Sequence, residues 1–286
     1  LRTFVGDTAQ PTRVTTTDAQ GAFAFTDLAA EDEALYLLQV TYAGVVYSEG
    51  PIVFAEGQQE AMAEFVVYET TEDASVIHVQ RAHIFVTIAE NVLSVAELYV
   101  FGNDSDRTFV GSEQIQGRGW TSRFVLPGQA QDLAFDDGSL GGRFLPTENG
   151  FVDTEPYWPG TTSVLFSYSL DCEAGVCDLS RLILQPISAM NLLVSDVGAR
   201  VEGDLALAGQ REAQGTSYLN YVSGALGSEE ELDIRILLPG AAAPVRTEVT
   251  SQSPLPWIIL VTVLAVLALI YPFWRQRVQS SAKELP

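Results

Sequence analysis

Residues 163–170, SVLFSYSL, show the pattern that decides the fold. Val164, Phe166 and Tyr168 alternate with serines, and an alternation of period two places one set of side chains on a core and the other in water. The same pattern recurs in residues 36–42 and 231–238. The sequence therefore predicts β-strands that each have one buried face.

Short turn sequences separate the predicted strands. Asp18–Gly21 and Glu148–Gly150 combine acidic or amide residues with glycine, the residue types that tight turns need. Short strands at such spacing are typical of β-sandwiches, and no amphipathic helix precedes Trp257. We therefore expect an all-β chain of two tandem β-sandwich domains, followed by one transmembrane α-helix.

The expected domain boundaries follow changes in composition. A polar, acidic stretch at 70–75 separates two strand-rich regions, and Ser, Thr, Gln and Pro are frequent before the apolar C-terminal segment, as in a stalk. In chain order we expect a first domain at 1–72, a second, larger β-sandwich at 73–246, a stalk at 247–256, a transmembrane helix at 257–274 and a tail at 275–286.

The apolar segment 257–274, WIILVTVLAVLALIYPFW, predicts a membrane span. It is close to the ~20 residues that a helix needs to cross a hydrocarbon core. The predicted anchor residues are interfacial aromatic residues at both ends of the segment and basic residues directly after it: Trp257, Tyr271, Trp274, Arg275 and Arg277. By the positive-inside rule the C-terminus faces the cytoplasm. We therefore expect a single-pass protein of the cell membrane, with the N-terminal ectodomain outside.

The charge of the chain excludes some partners and favours others. Fifteen basic residues face 37 acidic residues, for a net charge of −22. Such a surface repels phosphate backbones, which argues against binding nucleic acid. No glycine-rich phosphate loop is present, so we expect no nucleotide. The expected partners are the lipid bilayer and other membrane-protein subunits.

The two cysteines, Cys172 and Cys177, lie in the sequence DCEAGVC. A disulfide between them suits an oxidising compartment outside the cytoplasm. Two free thiols in a turn are the alternative. A structural zinc site needs four ligands, and the chain has no second cysteine pair to supply them.

Residues 14–28, VTTTDAQGAFAFTDL, resemble the signature of carboxypeptidase regulatory-like domains, which are small prealbumin-like β-sandwiches. The residues that match the family pattern T-D-x-x-G-x-F-x-F are Thr17, Asp18, Gly21, Phe23 and Phe25. A strand rich in tyrosine and valine follows, as in the family. Asp18 and Gly21 would form a turn, and Phe23 and Phe25 would share one face of the next strand.

This resemblance covers residues 1–70. It implies that the chain is a bacterial membrane protein. It implies a folding or docking module without catalysis, of a kind that sometimes binds carbohydrate. Such domains usually open with strands that precede this stretch, so we expect further sequence upstream of Leu1. Residues 76–246 are similar in layout to bacterial ectodomains found behind such modules.

The sequence offers no catalytic, cofactor or metal residues that we would assign. His78 and His83 are five apart, and on a regular strand they point to opposite faces, so they share a metal only if a bulge lies between them. A structural calcium ion remains open, because 103–106 and 136–138 supply oxygen ligands, although such turns are common without metal. We therefore expect that the chain is not an enzyme.

The segment 151–158, FVDTEPYW, supplies candidate partner-contact residues. Phe151, Tyr157 and Trp158 could stack on a sugar ring or fill a pocket of a partner. Alternatively, they fold over the core of the sandwich. We expect a non-catalytic extracytoplasmic subunit, accessory or structural, of a larger bacterial membrane complex, with energy metabolism as one setting. A cell-surface module that binds glycan or protein is the alternative.

Overall fold

The computed structural model describes residues 1–28, 34–213 and 215–239. This part of the chain is all-β apart from one short 3-10 helix, Ala74–Val76, which confirms the all-β part of the expected fold. The chain divides into two compact units, Leu1–Thr70 and a second unit that begins at Thr71. Each unit is described by itself below.

The C-terminal predictions lie outside the described residues. They comprise the stalk 247–256, the apolar segment 257–274 with its five anchor residues, and the tail 275–286. Within the described ranges, no helix is both long enough and apolar enough to cross a membrane.

The first unit contains a four-stranded antiparallel sheet in the order β2-β1-β3-β4. Its strands are β1 (Arg2–Val5), β2 (Thr8–Ala9), β3 (Ala34–Tyr42) and β4 (Val45–Ile52). Alternate side chains of β3, from Ala34 through Tyr36 to Leu38, are buried with Leu1 in one core. The alternation predicted for this strand is therefore confirmed at its N-terminal half, while Tyr42 at its end is exposed.

Residues 14–28 form the predicted turn but not the predicted strand. The Gly21 backbone N–H donates to the Asp18 carbonyl oxygen at 3.0 Å, and Gly21 has a φ of 82°. Asp18 Oδ1 also accepts the backbone N–H groups of Gln20 and Ala22. Phe23 and Phe25 pack on the core of the unit. No described strand forms a hydrogen-bonded ladder with them, so they lie outside the sheet.

The remaining strands follow in chain order. They are β5 (Thr70–Thr71), β6 (Ile77–Ala89), β7 (Val92–Asn103), β8 (Thr108–Phe109), β9 (Gln114–Ile115), β10 (Arg118–Gly119), β11 (Ser122–Val125), β12 (Ala130–Phe135), β13 (Phe144–Thr147), β14 (Gly150–Asp153), β15 (Gly160–Asp171), β16 (Val176–Asp178), β17 (Arg181–Leu182), β18 (Met190–Ser195), β19 (Arg200–Gly203), β20 (Ala206–Ala213), β21 (Thr216–Ser223), β22 (Glu231–Leu232) and β23 (Ile234–Leu237).

A seven-stranded sheet in the order β12-β15-β7-β6-β18-β21-β20 is the main layer of the second unit. Its pairings are antiparallel except that of β6 with β18, which is parallel. The long pairing of β7 with β15 runs from Asn103 opposite Gly160 to Val92 opposite Asp171. This pairing fixes which side chains of SVLFSYSL face the core.

Two smaller sheets, β11-β14-β13 and β16-β23-β19, share one core with the seven-stranded sheet. The Phe166 ring lies 4.9 Å from Phe151 and 5.3 Å from Phe124, measured between centroids. Full burial of each such ring stabilises the fold by about 1.5–3 kcal/mol. The second unit is therefore a sandwich-like packing of sheets.

The opposite face of the seven-stranded sheet is buried as well, which the alternation does not predict. Ser167 and Ser169, expected in water, are 5% and 6% exposed. They share this face with a second apolar cluster, which consists of Phe85, Ala96, Leu98, Leu165, Leu193 and Tyr218. The prediction of one water-facing side is therefore wrong for the central strands, because they carry apolar side chains on both faces.

Candidate functional site

A buried acidic residue, Glu97, lies in the middle of strand β7 and is 1% exposed. A carboxylate in an apolar core requires partners for its charge and its lone pairs. Arg181, the first residue of β17, donates from Nη1 to Glu97 Oε2 at 2.6 Å. The hydroxyl groups of Tyr168 and Tyr99 donate to the two carboxylate oxygens at 2.7 and 2.9 Å. We call these four residues the Glu97 cluster.

Burial determines the protonation of the Glu97 cluster. It raises the pKa of Tyr168 well above 10.0, and the negative charge of Glu97 adds to the rise. The pKa of Tyr99 is raised for the same reasons in the same order. Burial alone would lower the pKa of Arg181, but the charge and hydrogen bond of Glu97, together with Tyr99 and Tyr168, outweigh it and the pKa is raised. The cluster therefore holds an ion pair and two neutral tyrosines at neutral pH, and none of these three raised pKa values suits proton transfer near pH 7.

A half-open cavity of about 40 Å³ lies beside the Glu97 cluster. Its lining consists of residues from β6, β7 and β11 and from the segment that follows Leu179: Val79, Tyr99, Phe101, Arg123, Phe124, Val125, Arg181, Leu182, Ile183, Leu184, Gln185 and Ile187. Arg123 and Leu182 are the exposed members of this lining. The cavity therefore has mostly apolar walls, and the guanidinium groups of Arg123 and Arg181 are part of its lining.

A second buried ion pair joins Arg143 to Asp153 at the end of β14. Arg143 donates from Nε to Oδ1 at 2.8 Å and from Nη2 to Oδ2 at 2.7 Å. The Asp153 carboxylate also accepts the Tyr157 hydroxyl at 3.1 Å and the Glu155 backbone N–H at 2.9 Å. All of these donors come from its own neighbourhood in the chain. The Asp153 carboxylate is therefore a buried structural anchor with 0% exposure.

Glu155 also contacts Arg143, through an ion pair of 2.6 Å to Nη1. Burial nevertheless raises the pKa of Glu155, and the nearby Asp153 and Asp137 charges add to the rise against the effect of Arg143. Its side chain is 49% exposed, so water weakens each of these effects. Arg143 therefore links three carboxylates, those of Asp137, Asp153 and Glu155, in one network.

The aromatic segment 151–158 is only partly a surface. Phe151 and Tyr157 are 0% exposed, and Tyr157 Oη lies 2.6 Å from Ser122 Oγ. They fold over the core, so the prediction that they contact a partner directly is corrected. The reason is that both rings pack against the seven-stranded sheet, Phe151 on Phe166 and Tyr157 on Phe101. Trp158, at 39% exposure, remains as a candidate contact residue.

Cys172 and Cys177 form a disulfide, which confirms the predicted pairing and excludes the alternative of two free thiols. The bond closes the turn between β15 and β16. Cys177 belongs to the main core and Cys172 packs against it. The disulfide therefore links the end of β15 to the smaller sheet β16-β23-β19.

The histidines lie on one face of β6, not on opposite faces. His78 pairs with Gly102 and His83 with Leu98, positions of β7 that point the same way. A bulge between Val79 and Arg81 inserts an extra residue and reverses the expected alternation. Among the described residues, no group of three or more His, Cys, Asp or Glu side chains could hold a metal ion.

In the turn at 103–106, which was considered for calcium, the side chain of Asn103 forms hydrogen bonds within the fold. Asn103 Oδ1 accepts the backbone N–H and the hydroxyl of Ser105, at 3.1 and 2.7 Å. Its Nδ2 donates to the carbonyl oxygens of Arg107 and Tyr157. At 136–138, Asp137 pairs with Arg143. These contacts account for Asn103 and Asp137 as parts of the fold.

The sequence analysis missed the Glu97 cluster. The available signal was Glu97 itself, the only charged residue in the otherwise apolar run 92–101, VLSVAELYVF. A charge at a core position of a strand requires a buried partner. That partner, Arg181, is 84 residues away in the sequence, so no local pattern could identify it.

The comparisons with known proteins do not identify a family for this chain. No protein-family model matches the sequence, and no curated protein does. Among solved structures, a two-domain M1 zinc metallopeptidase bound to L-tryptophan is similar with a TM-score of 0.36 and 15% identity. An M1 zinc metallopeptidase from Deinococcus radiodurans gives 0.35 and 15%. Each match covers 56% of this chain and 42% of the other, so the chain spans less than half of these neighbours. TM-scores this low do not establish a shared fold.

Proposed function

We propose that this chain is a non-catalytic, membrane-anchored extracytoplasmic protein that serves as an accessory or structural subunit of a larger bacterial membrane complex. The observation that carries the proposal is the apolar segment 257–274, bordered by aromatic residues and followed directly by Arg275 and Arg277. Such a segment is best satisfied as one transmembrane helix with its basic end in the cytoplasm.

Two features of the described residues support this role. The disulfide between Cys172 and Cys177 fits an ectodomain in an oxidising compartment. The buried charged groups, Glu97 with Arg181 and Asp153 with Arg143, are held in ion pairs within the fold. These groups hold strands together and are not positioned for reaction, which favours a docking role over catalysis. The resemblance of residues 1–70 to regulatory-like modules supports the same role.

Membrane topology is the first test. The full chain would carry a C-terminal epitope, and intact spheroplasts would be treated with protease from outside. We expect the epitope to remain on a short membrane-bound fragment while the ectodomain is digested. Replacing both Arg275 and Arg277 with glutamate should weaken this orientation, because the basic flank sets it. Complete release of the chain by alkaline carbonate would contradict membrane anchoring.

Co-purification tests the subunit role. The tagged full chain would be extracted in mild detergent, and the proteins that co-purify would be quantified by mass spectrometry against an unrelated single-pass protein with the same tag. A stoichiometric set of membrane proteins is the expected result. A chain that is recovered alone after gentle extraction from its native membrane would refute the subunit proposal.

Surface binding of glycan is the second candidate, and the exposed part of Trp158 favours it. Aromatic side chains of this kind supply stacking surfaces for sugar rings. On a glycan array, binding by the full chain should be lost with Trp158→Ala and retained with Leu140→Ala, which shortens another exposed apolar side chain. Equal binding by both variants would reject Trp158 as the contact.

A further inference from the structure

The guanidinium group of Arg181 is only partly satisfied by the protein. Its Nε donates to the Leu179 carbonyl oxygen at 3.2 Å, and its Nη1 donates to Glu97 at 2.6 Å and contacts the Tyr99 hydroxyl at 3.3 Å. The third nitrogen, Nη2, is buried and has no hydrogen-bond partner among the described residues. The side chain is 6% exposed, and buried donors of this kind are rarely left unpaired in proteins.

Arg181 is also one of the residues that line the cavity of about 40 Å³. Nε and Nη1 are held by groups of the fold, so Nη2, with its two N–H groups, is the nitrogen that has no partner among the described residues. Most of the other lining side chains are apolar, including Val79, Phe101 and Ile183. A buried cationic donor in an apolar wall defines a site for one acceptor group.

We propose that this cavity binds a single carboxylate group, carried by a short molecule or by the end of a peptide, on Nη2 of Arg181. The inference does not depend on membrane anchoring or on the proposed complex. It goes beyond both, because it assigns a ligand chemistry to a specific place in the second unit.

The size of the cavity restricts the ligand. A space of about 10–15 Å³ holds one water-sized probe, so this cavity holds roughly three such spheres. A carboxylate with one or two carbon atoms fits that volume. A sugar ring or an aromatic acid is too large to enter, although its substituent could project from the mouth.

The charge around the cavity favours an anion over a neutral acceptor. Glu97 offsets the charge of Arg181, but Arg123 adds a second cation at the mouth, where it donates to the Asn149 side chain at 3.0 Å and not to an acidic residue. The lining of the cavity therefore carries two guanidinium groups and no carboxylate, in a protein with a net charge of −22. A positive mouth on an acidic surface draws a small anion to this place in particular.

Acetate is the probe for the test. The full chain in perdeuterated detergent would be titrated with acetate at constant ionic strength, and the transverse relaxation of the acetate methyl protons would be followed by NMR. We expect saturable binding with half-saturation at about 1–100 mM, as is reasonable for so few ligand atoms. Acetamide, its neutral counterpart, should bind at least tenfold more weakly.

Two variants place the site. Arg181→Met should abolish the saturable relaxation, and near-UV circular dichroism would report whether it keeps its packing. Arg123→Glu changes an exposed residue at the mouth and should also abolish binding, while Arg200→Glu, an exposed charge reversal outside the cavity, should leave it unchanged. Binding that is equal in Arg123→Glu and in the unmodified chain would overturn the proposal.

The remaining outcomes are equally decisive. An absence of saturable acetate binding would mean that Nη2 is served by water alone, and acetamide binding as tight as acetate would reject the carboxylate. Acetylglycine and its amide separate the two sources of the group. Tighter binding of acetylglycine than of acetate indicates a peptide end, and binding of acetate alone indicates a free short acid.

Discussion

The buried ion pair between Arg143 and Asp153 gives the sharpest test of how the second unit is stabilised. We consider Arg143→Met, which keeps much of the side-chain volume and removes the charge. The variant leaves the Asp153 carboxylate at 0% exposure with only the Tyr157 hydroxyl and the Glu155 backbone N–H as donors. Removal of one partner from a buried pair typically costs about 3–5 kcal/mol, because the other charge remains buried and unpaired.

The chain contains a matched control for this variant. Arg235 also donates from Nε and Nη2 to one aspartate, Asp233, at 3.1 and 2.9 Å. That pair is exposed, with side-chain exposures of 47% and 45%, against 13% for Arg143. Water and salt screen the exposed pair, so Arg235→Met should leave hydrogen exchange in its own strand, β23, unchanged within error. The bidentate geometry of the two pairs is alike, so the comparison reports the effect of burial together with the additional partners of Arg143, Asp137 and Glu155.

The assay is hydrogen exchange measured by mass spectrometry on the full chain in non-ionic detergent. Peptides from β13 and β14 report the local free energy of opening around Arg143. Arg143→Met should raise their exchange rates by two to three orders of magnitude, which is about 3–4 kcal/mol at about 1.4 kcal/mol per tenfold change. The double variant Arg143→Met with Asp153→Leu should recover part of the loss. An effect of Arg143→Met as small as that of Arg235→Met would refute this reasoning.

Three further predictions follow from backbone geometry, covalent linkage and protonation. Gly111→Ala should be severely destabilising in thermal unfolding, because the added Cβ collides with the Trp120 carbonyl oxygen. Gly117 is the control, because it has nearly the same φ (+76° against +74°) but open space around it, and Gly117→Ala should cost about 1 kcal/mol. Replacing both cysteines with serine should cost about 2 kcal/mol, as expected for the short loop that the disulfide closes, and reduction of the native protein should lower the melting midpoint equally. Stability should fall as the pH rises above 10.0, because the unfolded chain then loses the Tyr168 proton that the fold retains, and Tyr168→Phe should make this fall shallower by up to about 1.4 kcal/mol per pH unit.

The parts of the fold that could be predicted from the sequence are those encoded locally. The alternation of Val164, Phe166 and Tyr168 identified a strand whose side chains do lie in the main core. The Asp18 turn and the disulfide are likewise set by residues close in sequence. Such features depend on a few neighbouring residues and on the stereochemistry of one turn or strand, so pattern reasoning reaches them.

The features that escaped prediction depend on pairing with distant segments. The bulge in β6 becomes visible only when β7 is placed beside it, and it changes the face on which His78 lies. Burial of Ser167 and Ser169 requires the strands on either side of β15. Arg181 reads as an ordinary surface charge until the fold brings it to Glu97. In each case the missing information is a long-range contact.

The use of arginine in this chain connects the fold with the proposed role. Basic residues number only 15 against 37 acidic ones, and Arg143 and Arg181 are largely withdrawn from the surface into buried ion pairs. Each is withdrawn together with an acidic partner, Asp153 or Glu97, so burial of these pairs leaves the net charge of the exposed groups unchanged. Arg275 and Arg277 stand apart at the other end of the chain, directly after the apolar segment. Under the proposed membrane anchoring, Arg275 and Arg277 would orient the apolar segment, and the net charge of −22 would suit the rest of the chain to a cationic partner.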